Sequence, residues 1–98
     1  MKDKIQDVRI GARAQKQFEK LRQNTEDFSG INAANQFVTD FEKTKNQLKK
    51  TPDMFEESNI KKGARRALFG KYNAFLYRVY AKFIRIVTVF DTRTNHKN

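Results

Sequence analysis

Cysteine and tryptophan are absent from the 98-residue chain, and the chain holds only one proline and one histidine. Without cysteine there is no disulfide, no thiolate ligand for zinc and no thiol nucleophile, a composition that fits a reducing compartment. The single histidine, His96, cannot build a Ser-His-Asp triad, a Cys-His pair or a multi-histidine metal site. Gly11, Gly30, Gly63 and Gly70 stand apart in unrelated contexts, so no glycine-rich phosphate loop is present. No apolar run approaches the roughly 20 residues of a membrane-spanning helix. The start of the chain, with Lys2, Asp3, Lys4 and Asp7, lacks the apolar core of a signal peptide. These absences predict a cytoplasmic protein that needs no metal or other cofactor and has no membrane association.

Acidic residues are also scarce in the second half. Residues 1–60 carry 11 Lys and Arg against 10 Asp and Glu, whereas residues 61–98 carry 10 against the single acid Asp91. Almost all of the net charge of +10 therefore sits in the C-terminal part. A segment so lopsided repels itself and predicts an anionic partner, either a polyanion whose counterions are released or an acidic protein. The acids of the first half are spread among lysines as on solvated helix faces, which argues against paired-carboxylate catalysis.

A chain of this length supports one domain, here residues 1–98, because second cores rarely form below about 150 residues. Residues 4–10 hold Ile5, Val8 and Ile10 and suggest a first strand with poor alternation. From Ala12 the period becomes helical, with Ala14, Phe18 and Leu21 on one stripe and an end expected near Asn24. Ser29-Gly30 breaks the pattern. Asn32 is the expected N-cap of a second helix with the stripe Ala34, Phe37, Val38, Phe41 and Leu48, ended by Thr51-Pro52. Residues 53–63 read as a loop. Three β-rich runs follow, 66–69, 73–80 and 83–90, joined at Gly70-Lys71 and Ala81-Lys82.

The predicted fold is α+β: an N-terminal strand, a two-helix hairpin, then a three-stranded antiparallel meander in one sheet packed by the helices. In the middle strand Phe75, Tyr77 and Val79 share one face, and Ala74, Leu76, Arg78 and Tyr80 share the other. In the last strand strict alternation would put Ile84, Ile86, Thr88 and Phe90 together, opposite Phe83, Arg85, Val87 and Val89. Both faces are then largely apolar, as in a central strand.

The chemistry that remains is carried by arginine, lysine and tyrosine. Lys61, Lys62, Arg65 and Arg66 cluster where the loop enters the sheet, and Arg78, Arg85 and Arg93 follow on the later strands. Guanidinium forks converging on one face would hold phosphate. Tyr72, Tyr77, Tyr80, Phe69 and Phe83 offer rings for base stacking, although rings in strands more often fill a core.

The order of these pieces resembles the RelE/ParE superfamily of toxins from type II toxin-antitoxin systems over nearly the whole chain. Ala34 to Pro52 is similar to the family's second helix and its proline-containing exit. Gly63 to Phe69 resembles the arginine-bearing entry strand, Tyr72 to Val79 the Tyr-rich middle strand, and Ile86 to Asn95 the closing strand. The resemblance implies growth arrest by a toxin freed from a cognate acidic antitoxin. RelE-like members cut messenger RNA in the ribosomal A site, and ParE-like members poison DNA gyrase. On the ribonuclease reading, Arg93 takes the place of the closing-strand arginine, with Lys61 and Lys62 as the lysines before the sheet and His96 as proton donor. Two positions depart from that pattern: Ala74 stands where the middle-strand arginine belongs, and no tyrosine follows Arg93. The expectation is therefore a ParE-like action on gyrase. The RelE-like ribonuclease, acting with ribosome and messenger RNA, is the alternative, and a non-toxic basic RNA-binding protein is a second. The residues expected to meet target or phosphate are Arg65, Arg66, Arg78, Arg85 and Arg93, and those expected to meet the antitoxin are Phe37, Phe41, Leu76 and Tyr80. The antitoxin is expected to fold on the toxin, adding helix beside the hairpin or a strand to the sheet edge.

Overall fold

A computed structural model of the chain describes residues 5–93. Strand β1 (Asp7–Ile10) leads into helices α1 (Ala12–Ser29) and α2 (Ile31–Lys50), followed by strands β2 (Arg65–Phe69), β3 (Asn73–Val79) and β4 (Phe83–Asp91). The strands form one sheet in the order β1-β4-β3-β2, with β1 parallel to β4 and the other pairs antiparallel. This is the α+β arrangement that the sequence predicts, and β4 is central as its two apolar faces require.

Helix α1 runs past the expected end at Asn24 because its polar side chains keep supporting it. Arg22 pairs with Glu26 at 2.9 Å and Gln23 donates to Asp27 at 2.9 Å, both at the i, i+4 spacing that brings side chains together on a helix. Gly30 then reverses the chain in a single residue. Its φ of 93° lies in the left-handed region, its N–H donates to the Glu26 carbonyl, and its own carbonyl accepts from the Ala34 N–H. Gly30 therefore ends α1 and starts α2, with no side-chain cap on the second helix. Asn32, the expected N-cap, lies inside the first turn of α2 because this one-residue connection leaves no extended position for it.

The helix hairpin covers one face of the sheet. Phe37, Phe41 and Leu48 of α2 and Ala14 of α1 meet Ala67, Phe69, Phe75, Tyr77, Ile84, Ile86 and Val89, with Ile5, Val8, Ile10, Phe18 and Leu21 around them. Its centre is a run of rings: Phe41 lies 4.5 Å from Phe18, 5.2 Å from Phe69 and 5.5 Å from Phe75. Burying one such side chain contributes about 1.5–3 kcal/mol, so this aromatic run holds the hairpin onto the sheet. Beyond the end of β1, the outer edge of β4 is sealed by α1, where Gln17 Oε1 accepts the Val89 N–H at 2.9 Å.

The last strand departs from strict alternation. Leu76 pairs with Thr88 but Tyr77 pairs with Ile86, so Val87 is the extra residue of a β-bulge. Val89, and not Phe90, therefore shares the helix-covered face with Ile84 and Ile86. Phe90 turns to the opposite face and packs with Ala64, Ala74, Leu76 and Val87. A strand pattern that is apolar on both sides carries no mark of such a one-residue slip.

Candidate functional site

Two groups of basic side chains emerge, and they do not meet. The first lies on the sheet face opposite the helices. Arg78 on β3 pairs with Arg85 on β4, and Arg85 pairs with Arg9 on β1. Residues directly opposite in neighbouring strands project from the same face, so three arginines form one cross-strand row. The bulge at Val87 sets this row, because unbroken pairing would put Ile86 beside Arg78. Arg66, paired with Leu76, joins the same face one step along, and its guanidinium lies 5.8 Å from the Phe90 ring. Arg78 Nη1 donates to the Lys62 carbonyl at 3.2 Å, which ties the row to the turn carrying Lys61 and Lys62. Gly63 makes room for this approach: its φ is 81°, and a Cβ there would lie 2.8 Å from Arg78 Nη1.

Arg9 caps the row at the other edge. Its guanidinium sits 3.9 Å from the Phe83 ring centroid and its Nε donates to Asp7 at 3.0 Å. Phe83 is also stacked on Tyr80, centroid to centroid 4.7 Å. Sequence reasoning missed Arg9, although its phase in β1, opposite to Val8 and Ile10, is the signal that would have placed it on this face.

Arg65 is not part of the row. It pairs with Tyr77, on the helix-covered face, and its guanidinium donates to the carbonyls of Asp53 and Phe55. Tyr77, wholly buried, adds a hydrogen bond from its hydroxyl to the Pro52 carbonyl at 2.9 Å. Burial pushes the Tyr77 phenol up to about 12, against the pull of the nearby Arg65 charge. Arg65 and Tyr77 thus secure the loop after α2.

The second group lies at the far end of the sheet. Arg93 donates to both carboxylate oxygens of Asp91, at 3.1 and 2.7 Å, and its guanidinium stacks 4.3 Å from the Tyr72 ring centroid. The Arg93 hydrogen bonds hold the Asp91 carboxyl below the usual carboxylate range despite some opposing desolvation. These residues border a cleft of about 490 Å³ whose other walls include Leu21, Thr25 and Phe28. Phe28, at the tip of the hairpin, is 89% exposed.

The expected catalytic set is therefore split. Lys62 meets Arg78 near the end of β3, whereas Arg93 stacks on Tyr72 just before its start. Six residues of strand separate the two positions, about 20 Å at the rise of an extended chain. His96 lies outside the described residues. Of the residues expected to meet the antitoxin, Phe37, Phe41 and Leu76 are between 1% and 5% exposed and belong to the chain's own two cores; only Tyr80, 43% exposed, keeps a free surface. The helix stripes were read correctly, but the faces they cover are used within the fold. Phe69 and Tyr77 are buried as well, which leaves Tyr72 and Tyr80 as the exposed tyrosines.

Comparison with known families matches residues 8–96 to the model for the ParE toxin of the type II toxin-antitoxin system parDE. The chain belongs to the ParE toxin family. Among solved structures, the toxin shares its fold with one described as the chromosomal ParDE TA system from P. aeruginosa. The two are 14% identical, with a TM-score of 0.77 over 91% of this chain and 98% of that one. No curated protein matches the sequence. The toxin keeps both basic groups within the matched region, and among the described residues no helix is long and apolar enough to cross a membrane.

Proposed function

We propose that this type II toxin arrests growth without cutting RNA, by a ParE-like action on DNA gyrase, and that a cognate acidic antitoxin neutralises it. The observation that carries the reading is the separation of Arg93 from Lys61 and Lys62. Metal-free RNA cleavage needs cationic and proton-transferring groups within about 3 Å of one scissile phosphate. Here Arg93 already spends its guanidinium on Asp91 and Tyr72, and the lysines lie at the other end of β3. Ala74, at the position where a ribonuclease relative would carry an arginine, is fully buried beside Leu76 and Phe90. A gyrase poison needs only a complementary surface.

The antitoxin is proposed to cover apolar residues that the fold leaves exposed, including Phe28, Ile31, Leu68 and Val79, together with part of the basic surface. An acidic chain that orders on binding suits such a mixed surface.

Induced expression in cells tests the reading. The expected result is arrest with intact messenger RNA 5′ ends and accumulating gyrase-linked DNA breaks. New translation-dependent message ends that vanish in Arg93→Ala would instead establish a ribonuclease, and the absence of arrest would remove toxicity altogether.

A further inference from the structure

The arginine row on the helix-free face has a cost that nothing within the fold recovers. Arg9, Arg85 and Arg78 are direct cross-strand neighbours, and like charges facing each other in a sheet are destabilising. At about 4.8 Å per strand the three span about 10 Å. Asp7 pairs with Arg9 at the outer edge. Arg85 is exposed and makes no ion pair among the described residues, and Arg78 and Arg66 meet only a carbonyl and a ring. Glu56 and Glu57, which line a cavity with Arg66 at the β2 edge, are the other acids near this face among the described residues, and neither forms an ion pair with the row. Three guanidinium groups are thus left to a partner.

Three observations identify the partner's chemistry. First, protein interfaces build their centre from apolar anchors and exclude charge from it. Here Ala74 and Leu76 are sealed at 0% and 1% exposure beneath the arginines, and the exposed apolar side chains of this face, Leu68 beyond Arg66 and Tyr80 beyond Arg78, lie at its two ends, so no anchor is offered between the arginines. Second, the ring of Phe83 is occupied by Tyr80 and Arg9, which leaves the single exposed Tyr80 ring beside the row and not the series of rings on which successive bases of an unpaired strand stack. Third, fixed forks in a row suit a line of phosphates, which arginine grips in two places at once. We infer that the helix-free sheet face, through Arg66, Arg78 and Arg85 with Arg9 at its edge, binds the phosphate backbone of duplex DNA. This deepens the gyrase reading, since gyrase presents duplex DNA, but it stands or falls separately because DNA binding is measured without gyrase.

The test is fluorescence anisotropy of the full chain with a labelled 20-base-pair duplex over a series of salt concentrations. Each neutralised phosphate contributes about 0.9 to the slope of log K against log salt, so three contacts give a slope of about −3. Arg78→Gln and Arg85→Gln should each weaken binding several-fold and lower that slope by about 1, whereas Arg85→Lys and the distant α2 variant Lys43→Gln should retain it. Loss of repulsion means that Arg85→Gln should melt no lower than the parent at low salt, which separates lost binding from lost folding. A tenfold charge excess of polyglutamate should leave the duplex bound. Absence of duplex binding, a slope untouched by the row variants, tighter binding of the single strand, or displacement by polyglutamate would each overturn the assignment. If the duplex binds as described while gyrase is unaffected, the DNA surface stands and the gyrase reading fails.

Discussion

Replacing Tyr77 by phenylalanine removes one oxygen from the centre of the fold, and its effect should change sign with pH. At neutral pH the Tyr77 hydroxyl donates to the Pro52 carbonyl at 2.9 Å and helps fix the loop after α2 to the sheet. Losing that bond should cost about 1 kcal/mol. The phenol, however, is pushed by burial from 10.0 up to about 12. A folded state that holds a proton more tightly than the unfolded chain gains stability that is fully present below pH 10 and is lost as pH rises through the folded value. At about 1.36 kcal/mol per unit, the loss between these limits approaches roughly 3 kcal/mol. Phenylalanine has no proton to lose. The variant should therefore be less stable than the parent at pH 7, equal to it near about pH 11, and more stable above. Urea unfolding of both proteins at several alkaline pH values reads this directly, because lysine and arginine titration is common to the two and cancels in the difference. A constant difference from pH 7 to 11.5 would refute the reasoning and mean that the phenol reaches solvent.

Three further outcomes follow from the geometry. Gly63→Ala places a Cβ 2.8 Å from Arg78 Nη1 at a φ of 81°; a loss of about 1–3 kcal/mol is expected, read as a lower melting temperature. Phe41→Ala removes the ring shared by Phe18, Phe69 and Phe75 and should cost about 3–5 kcal/mol, which denaturant titration will show. Asp91, whose carboxyl is held low chiefly by Arg93, contributes stability above its unfolded value of 3.8 that is lost as pH falls through the lower folded value. Asp91→Asn should therefore flatten the acid side of the stability curve as pH falls below the unfolded value of 3.8.

Element order and type were legible in the sequence because the period changes sharply, from the stripe Phe37, Phe41 and Leu48 to the alternation of Phe75 and Tyr77. The helix join was half legible: Gly30 signals a break, but only its left-handed φ shows that one residue suffices and that Asn32 does not cap. The bulge at Val87 was not legible, since an apolar residue slipped within an apolar strand changes no periodicity. That slip decided the candidate site, moving Phe90 off the helix side and setting Arg85 beside Arg78. Residue type flagged the arginines of the C-terminal half, though not Arg9, and could not sort them. Arg65, paired with Tyr77, faces inward and Arg66, paired with Leu76, outward, and Arg93 is held by the carboxylate two residues before it. Those assignments depend on register and on pairings across the sheet, which one strand alone does not contain.

The most direct test of the central claim is to incubate the purified toxin with gyrase and supercoiled plasmid and, in parallel, with ribosomes programmed with a messenger RNA. A non-cleaving ParE-like poison should trap gyrase on broken DNA and leave the message whole, with the same message intact for Arg93→Ala. Cleavage of the message in the ribosome, lost in Arg93→Ala and accompanied by unaffected gyrase, would contradict the account.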